Sequence, residues 1–159
     1  MIEQGQTTAI ELSVNGHRHR LRLEARRSLL DALRIDLGLT GTKQVCNMGN
    51  CGSCTVLIDD QPVYSCLTLA IECVDKQIRT IEGLNENGTL HPLQQAFIEH
   101  DALQCGFCTP GQVMAACGLL ARNPHPSEAE VVEGMSGNLC RCGAYRGIVQ
   151  AVLAVSAEG

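Results

Sequence analysis

The sequence predicts an α+β protein made of two small domains. Three observations predict it: alternating strands around a turn at the start, a polar segment without periodicity near the middle, and helical periodicity after it. With 159 residues, 45% of them hydrophobic, the chain can bury a core in each half. We predict a first domain over residues 1–82, a linker over residues 83–90 and a second domain over residues 91–159.

The first domain opens with a predicted β-hairpin. Thr8–Val14 and His17–Glu24 alternate apolar and polar residues around Asn15-Gly16, a dipeptide suited to a two-residue turn. Ser28 is the expected N-cap of a helix that runs through Leu37. This order favours a small sheet wrapped around one helix. Three further strands are predicted, at Thr55–Ile58, Pro62–Tyr64 and Gln77–Ile81.

The second domain has the pattern of four short helices, which suggests a bundle. It follows the Gly/Asn-rich boundary segment Glu82–Gly88. Thr109-Pro110 and Ser127 carry helix start signals, the latter in a capping box. The predicted helices are Pro92–Asp101, a helix from the Thr109 cap to Arg122, a helix starting at Ser127, and Tyr145–Ala157.

Composition excludes several classes of function. Twelve basic and seventeen acidic side chains give a net charge of −5, with few aromatic residues, so nucleic acid is an unexpected partner. The longest apolar or small stretch, Val113–Ala121, is too short for a membrane span, and a soluble chain is predicted. Met1–Gln4 lacks an export signal, which predicts a cytoplasmic location, or a periplasmic one if a partner carries the signal.

Ten cysteines are the unusual feature, and four of them form a first group. Cys46, Cys51 and Cys54 follow an x4-x2 spacing in a Gly-rich segment, and Cys66 follows eleven residues later. Such a loop can direct several thiolates at one inorganic core while its backbone N–H groups approach the sulfides. The x4-x2 spacing is that of plant-type [2Fe–2S] ligation.

A second group consists of two pairs, Cys105-x2-Cys108 and Cys140-x-Cys142. The first pair comes just before a predicted helix start, where free N–H groups favour an anionic cluster. Four thiolates from two helical hairpins would close a second site. This spacing is less specific, because Cys-x2-Cys also serves zinc binding and thiol redox chemistry.

Disulfide bonds and zinc binding are the competing roles for these cysteines. A disulfide framework suits an exported protein, but the sequence shows no export signal, and Cys140-x-Cys142 is too close for a comfortable bridge. Two structural zinc sites fit the ligand count, although neither group has both Cys-x2-4-Cys pairs. Cys73 and Cys117 are isolated in apolar surroundings and are expected to fill the core.

The cysteine segments resemble a known family. Lys43–Leu57, with Ser65-Cys66, is similar to the first-cluster signature of the small iron–sulfur subunit of the molybdenum hydroxylases, the xanthine oxidase family. Gln104–Gly111 and Gly137–Tyr145 are similar to its second-cluster signature. The resemblance extends from about residue 9 to residue 155 in the family's order.

This resemblance implies a fold and a set of ligands. The fold is an N-terminal β-grasp, ferredoxin-like domain followed by a C-terminal four-helix bundle, each holding one [2Fe–2S] cluster. Gln104 and Cys140 are expected to contact a molybdopterin cofactor, in its cytosine dinucleotide form, bound by a large subunit. The implied ligands are Cys46, Cys51, Cys54 and Cys66 for the distal cluster and Cys105, Cys108, Cys140 and Cys142 for the proximal one.

The implied function is electron transfer without substrate chemistry. The chain would relay electrons from the molybdenum site of the large subunit to a medium FAD-binding subunit, a cytochrome or another acceptor. A free-standing ferredoxin-type carrier and a two-site zinc-binding module are the alternatives. Val45 and Ser53 stand where the family usually has glycine and alanine, which affects the expected reduction potential without removing a ligand.

Overall fold

The structure, a computed structural model, describes residues 6–85 and 88–158 and has the predicted α+β class. Its strands are β1 (Thr7–Val14), β2 (His17–Glu24), β3 (Thr55–Ile58), β4 (Gln61–Tyr64) and β5 (Gln77–Arg79). Its α-helices are α1 (Leu29–Asp31), α2 (Pro92–Glu99), α3 (Thr109–Arg122), α4 (Glu128–Met135) and α5 (Tyr145–Glu158). A π-helical segment (Ala32–Asp36) and two 3-10 turns (Ala70–Cys73 and Ile81–Leu84) complete the described elements.

All five strands form one mixed sheet in the order β2-β1-β5-β3-β4. β1 pairs with β2 in antiparallel and with β5 in parallel orientation, while β3 is antiparallel to both β4 and β5. At the first turn Asn15 and Gly16 have φ values of 51° and 77°, the two positive values that a type I′ turn requires. The predicted hairpin is therefore confirmed.

The predicted first helix starts as expected but changes from α-helical to π-helical hydrogen bonding after one turn. Ser28 Oγ accepts a hydrogen bond from the Asp31 N–H at 3.1 Å, which confirms the N-cap. After Asp31 the backbone widens into the π-helical segment, where the Leu37 N–H donates to the Ala32 carbonyl at 3.0 Å. The Arg34 guanidinium ties the next loop to this segment by donating to the carbonyls of Thr40 and Thr42.

The segment between the two halves is more ordered than its composition suggests. The predicted strand Gln77–Ile81 ends earlier, at Arg79, because the Thr80 N–H donates to Asn15 Oδ1 at 2.9 Å instead of pairing in the sheet. A 3-10 turn over Ile81–Leu84 occupies the start of the predicted boundary, and Leu84 is buried with the helices. Residues 86 and 87 of that boundary lie outside the described part of the chain.

The helices of the second half mostly begin where the sequence predicts. Ser127 Oγ accepts from the Glu130 N–H at 3.3 Å and the Glu130 carboxylate accepts from the Ser127 N–H at 2.8 Å, which confirms the capping box. The cap of α3 is Cys108, so the prediction of Thr109 is wrong by one residue. In residues 6–85 and 88–158, no helix combines the length and apolar character needed to cross a bilayer.

The protein has two apolar cores, and strand β3 contributes side chains to both of them. The first core lies between the sheet and α1 and includes Leu12, Leu33 and Val56, whereas the second fills the space among α2–α5. Leu57, on the opposite face of β3 from Val56, belongs to the second core. Helix α3 approaches this face closely, since a Cβ on Gly118 would lie 2.7 Å from Pro62 Cδ. The packing of α3 on the sheet positions the two cysteine groups.

Candidate metal centres

The first cysteine group forms a site at the end of the β3–β4 hairpin. Cys54 immediately precedes β3 and Cys66 follows β4, so antiparallel pairing of these strands brings the two thiols together. Ser65 reinforces the junction, because its hydroxyl donates to the Cys54 carbonyl at 2.7 Å. Cys46 and Cys51 lie in the loop before β3, and their thiols are within hydrogen-bonding reach of each other.

Backbone N–H groups of the first loop favour a charged sulfur. The Met48 N–H is the main cause that lowers the pKa of Cys46 to about 6, with help from the Asn50 N–H, whose nitrogen lies 3.4 Å from Cys46 Sγ. Asn47 has a φ of 53°, which turns the loop around that sulfur. By contrast, burial raises the pKa of the Cys54 thiol to about 11. Since metal ligands are thiolates, these N–H groups prepare the loop for an anionic cluster.

Tyr64 links this site to the helical half. Burial raises the pKa of Tyr64, and negative charge on the four thiols of the first group adds to that effect. The Tyr64 hydroxyl donates to the Gly137 carbonyl at 2.6 Å. Tyr64 therefore contacts the segment that leads into Cys140.

The second cysteine group comes together through helix packing. Cys105 and Cys108 precede α3, whereas Cys140 and Cys142 lie between α4 and α5. The Cys105 thiol is within hydrogen-bonding reach of Cys142, and the Cys108 thiol of Cys140. The structure thus brings the four predicted residues of this group into one site.

In the second site, too, some thiols have a lowered pKa and another has a raised one. The Phe107 N–H is the main cause that lowers the pKa of Cys105. Burial acts to raise the pKa of Cys140, but the N–H groups of Ala144 and its neighbours outweigh it, and the pKa is lowered. Burial raises the pKa of Cys108 to about 12.

In both sites the thiols meet as pairs. A diiron core offers two metal positions with two cysteines each, whereas a structural zinc site directs four ligands at one ion. The pairwise geometry, together with the inward N–H groups, fits a [2Fe–2S] core.

Gln104 and Cys140 occupy different settings beside the second site. Gln104 is exposed, and its Nε2 donates to the Cys142 carbonyl at 3.3 Å. Cys140 is only 6% exposed, and its N–H donates to Tyr145 Oη at 2.9 Å. Cys105 and Cys142 are exposed. The pterin contact assigned to Cys140 stays a prediction, and the exposed cysteine hydrogen-bonded to Gln104 is Cys142.

The two remaining cysteines lie apart from the sites. Cys73 is fully buried in the first core, and Cys117 packs against the second. Burial raises the pKa of each thiol to about 11, so both stay neutral and fill apolar space, as predicted.

Sequence reasoning missed the contacts that join the two sites. The Leu139 N–H donates to the Cys51 carbonyl at 2.9 Å, and Leu139 is covalently bonded to Cys140. One hydrogen bond and short stretches of backbone therefore connect a cysteine of the first site to one of the second. Asn138, beside Leu139, also reaches the first loop. No local pattern predicts a contact between residues 86 positions apart.

Comparisons with known proteins agree with this geometry. Residues 12–83 match the family "2Fe-2S iron-sulfur cluster binding domain", and residues 80–153 match "[2Fe-2S] binding domain". The chain is 53% identical to the nicotine 6-hydroxylase small subunit of Paenarthrobacter nicotinovorans, over 91% of this chain and 87% of that protein. It is 45% identical to caffeine dehydrogenase subunit gamma of Pseudomonas sp. strain CBB1, over 92% and 90% of the two chains.

A solved structure shows the same fold. A chain of quinoline 2-oxidoreductase from Pseudomonas putida 86 superposes with a TM-score of 0.92, at 49% identity and with 96% of each chain covered. Identity at this level over nearly the whole length, with both cluster-binding families in tandem, settles the membership. The chain belongs to the small iron–sulfur subunits of the molybdenum hydroxylase family.

Proposed function

We propose that this chain relays electrons between the molybdopterin site of a large subunit and a second redox partner. The observation that carries the proposal is the hydrogen bond from the Leu139 N–H to the Cys51 carbonyl, which connects the two cysteine sites. Electron tunnelling through covalent and hydrogen bonds is far faster than tunnelling across a gap.

All eight cysteines of the two sites are proposed as cluster ligands. When bound, each [2Fe–2S] cluster supplies a one-electron carrier. The free thiols already lie next to each other in pairs, and the N–H groups around Cys46 and Cys140 favour negative charge on sulfur. The proposed ligands are Cys46, Cys51, Cys54 and Cys66 for the first cluster and Cys105, Cys108, Cys140 and Cys142 for the second.

The second site is proposed to face the large subunit. Its exposed residues Gln104, Cys105 and Cys142 form the surface that can touch a pterin, and Gln104 has an amide that can donate and accept. Exposure favours Cys142 over the buried Cys140 for that contact. The cytosine dinucleotide form of the pterin stays part of the proposal. The first site then passes electrons to an FAD-binding subunit, or to a cytochrome, in a cytoplasmic complex.

We also propose the finer fold assignment. The mixed sheet packed on α1 supports a β-grasp for the first half, and α2–α5 around one core support a four-helix bundle for the second. The two family matches meet at residues 80–83, which supports a domain boundary near residue 82. The linker over residues 83–90 stays part of the proposal.

The test combines metal analysis with co-purification. Anaerobically isolated chain should contain about four irons and four acid-labile sulfides, with two distinct EPR signals after reduction. Expressed with its neighbouring subunits, it should purify with a large molybdenum protein. Zinc without iron would establish a zinc module instead, and two clusters without a large partner would indicate a free-standing carrier.

A further inference from the structure

A buried polar network joins the loops of the two cysteine sites. Asn138 is 5% exposed, and its Nδ2 donates to the Gly52 carbonyl at 2.9 Å and to Thr55 Oγ1 at 3.2 Å. Gln112, 1% exposed, donates from Nε2 to the Asn138 carbonyl at 2.8 Å. The network therefore holds both the side chain and the backbone of Asn138.

These bonds run beside the link between the sites. Gly52 follows Cys51 in the chain, and Leu139 follows Asn138, so the Asn138 to Gly52 bond and the Leu139 to Cys51 bond are adjacent rungs between the same two segments. A donor or acceptor that loses its partner in a buried setting carries a large desolvation penalty. The hydrogen bond from Asn138 to Gly52 therefore keeps the Leu139 N–H aligned with the Cys51 carbonyl.

The backbones at this junction approach without side chains between them. A Cβ on Gly52 would lie 2.5 Å from the Gly137 carbonyl oxygen and 2.7 Å from Asn138 Cγ. A Cβ on Gly111, in the first turn of α3, would lie 2.6 Å from the Gly52 carbonyl oxygen. Such close approach leaves Asn138 as the side chain that meets the Gly52 carbonyl from the helical half.

We propose that Asn138 is a positioning residue for electron transfer between the two clusters. Thr55 holds the Gly52 carbonyl within its own loop, through its N–H at 3.0 Å and its hydroxyl at 2.6 Å. The Asn138 amide ties this fixed carbonyl to the helical half and thereby holds the Leu139 N–H against the Cys51 carbonyl. The inference rests on the proposed function, because it needs a cluster at each site. When the clamp is released, the hydrogen bond between the sites is replaced part of the time by a gap, and tunnelling slows.

The decisive variant is Asn138→Asp in the full chain. It preserves the size of the side chain but replaces the Nδ2 donor with an acceptor that faces the Gly52 carbonyl. Loss of one buried hydrogen bond corresponds to about a tenfold change in an opening equilibrium. We therefore expect hydrogen exchange at the Leu139 amide to accelerate about tenfold, and intercluster electron equilibration after flash reduction to slow, with both EPR signals retained.

A matched control is Asn15→Asp. Asn15 Nδ2 also donates to a threonine hydroxyl, that of Thr80 at 2.9 Å, and Asn15 Oδ1 accepts from the Thr80 N–H, but this pair joins the turn between β1 and β2 to the residue after β5. The control variant should leave the Leu139 exchange rate and the intercluster rate unchanged. Equal slowing in both variants would overturn the proposal, because it would indicate general destabilisation.

A second variant tests the proposal if Asn138→Asp does not fold. Thr55→Val removes one of the two acceptors of Asn138 Nδ2 and also the hydroxyl that donates to the Gly52 carbonyl at 2.6 Å, while the bond from Asn138 Nδ2 to the Gly52 carbonyl stays possible. It should give the same two changes at smaller amplitude, and unchanged rates in this variant would overturn the clamp. Missing clusters in the wild-type chain would instead refute the proposed function, while the amide exchange measurement would still test the clamp.

Discussion

The two cysteine sites differ in how the chain assembles them. The first draws its four cysteines from residues 46–66 and is closed by a hairpin, a local structure. The second draws two pairs from either side of residues 109–139 and is closed only when α3, α4 and α5 pack together. Local closure costs little chain entropy, whereas the second closure depends on the tertiary core.

Exposure differs in parallel with assembly. Cys54 of the first site is buried, and the other three cysteines there are partly covered. In the second site Cys105 and Cys142 are exposed beside Gln104. The first site therefore has no exposed cysteine, whereas the second has an open side formed by Cys105 and Cys142.

The strongest way to break this comparison is to remove one cysteine from each site. Cys140→Ser should abolish the EPR signal of the second cluster and turnover of the assembled complex, because a diiron core loses a ligand, while the first signal persists. Cys54→Ser should do the reverse. Cys117→Ser, which changes a cysteine outside both sites, serves as the control and should retain both signals. Loss of both signals in either ligand variant would show that the sites are not independent.

The rate at which a chelator removes iron should differ between the two sites, because their cysteines differ in exposure. In the isolated chain, a chelator should extract iron from the second site several times faster than from the first, because Cys105 and Cys142 are open to solvent and Cys54 is not. The decay of the two EPR signals with time measures the difference. The large subunit should slow the faster phase, and equal rates in the isolated chain would contradict the role given to exposure.

Glycine substitution sharpens the comparison at equivalent positions of the two loops. Gly52 and Gly106 both follow the first cysteine of a Cys-x2-Cys segment and have φ values of 72° and 77°. Gly52→Ala adds a clash with the Gly137 carbonyl, whereas a Cβ on Gly106 meets nothing within 4 Å. We expect Gly106→Ala to cost about 1–2 kcal/mol from backbone strain alone.

Gly52→Ala should cost more than that backbone strain, because the overpacked junction adds its own penalty of about 1–3 kcal/mol. Chemical denaturation of both variants, followed by circular dichroism, checks the order. Equal losses of unfolding free energy would mean that the junction at Gly52 relaxes without strain.

The smallest expected effect lies away from both sites, at the N-cap of α4. Ser127→Ala should cost about 1 kcal/mol of unfolding free energy through loss of the cap. Hydrogen bonds from Ser127 lower the pKa of Glu130 below its usual value, so the stabilisation from Glu130 is present at neutral pH and is lost as the pH falls through the folded-state pKa.

Carbon NMR of the Glu130 carboxyl offers a direct measurement of this coupling. In Ser127→Ala the pKa should move back towards its ordinary value. Glu128→Gln, which removes a carboxylate from the same first turn, is the control and should leave the Glu130 pKa low. An unshifted pKa in Ser127→Ala would contradict the cap.

The sequence predicted those features whose cause is local. Asn15-Gly16 adopts the positive φ values of its turn, Ser28 and Ser127 cap their helices, and the proline at the start of α3 marks that helix. Each of these depends on the conformational preference of one or two residues and on a hydrogen bond within three or four positions. Cysteine spacing likewise indicated the kind of cluster, because ligand geometry constrains short segments.

Tertiary structure decided what distant segments do to one another. The early end of β5 at Arg79 occurs where a contact with the distant Asn15 side chain replaces sheet pairing. No sequence pattern indicated the π-helical widening after Asp31. The network around Asn138 reaches Gly52 across 86 positions, and no periodicity or motif encodes it. Local chemistry thus determined which atoms could hold two clusters, whereas close packing of α3 on the sheet determined that their loops meet through a set of hydrogen bonds, among them the bond from Leu139 to Cys51.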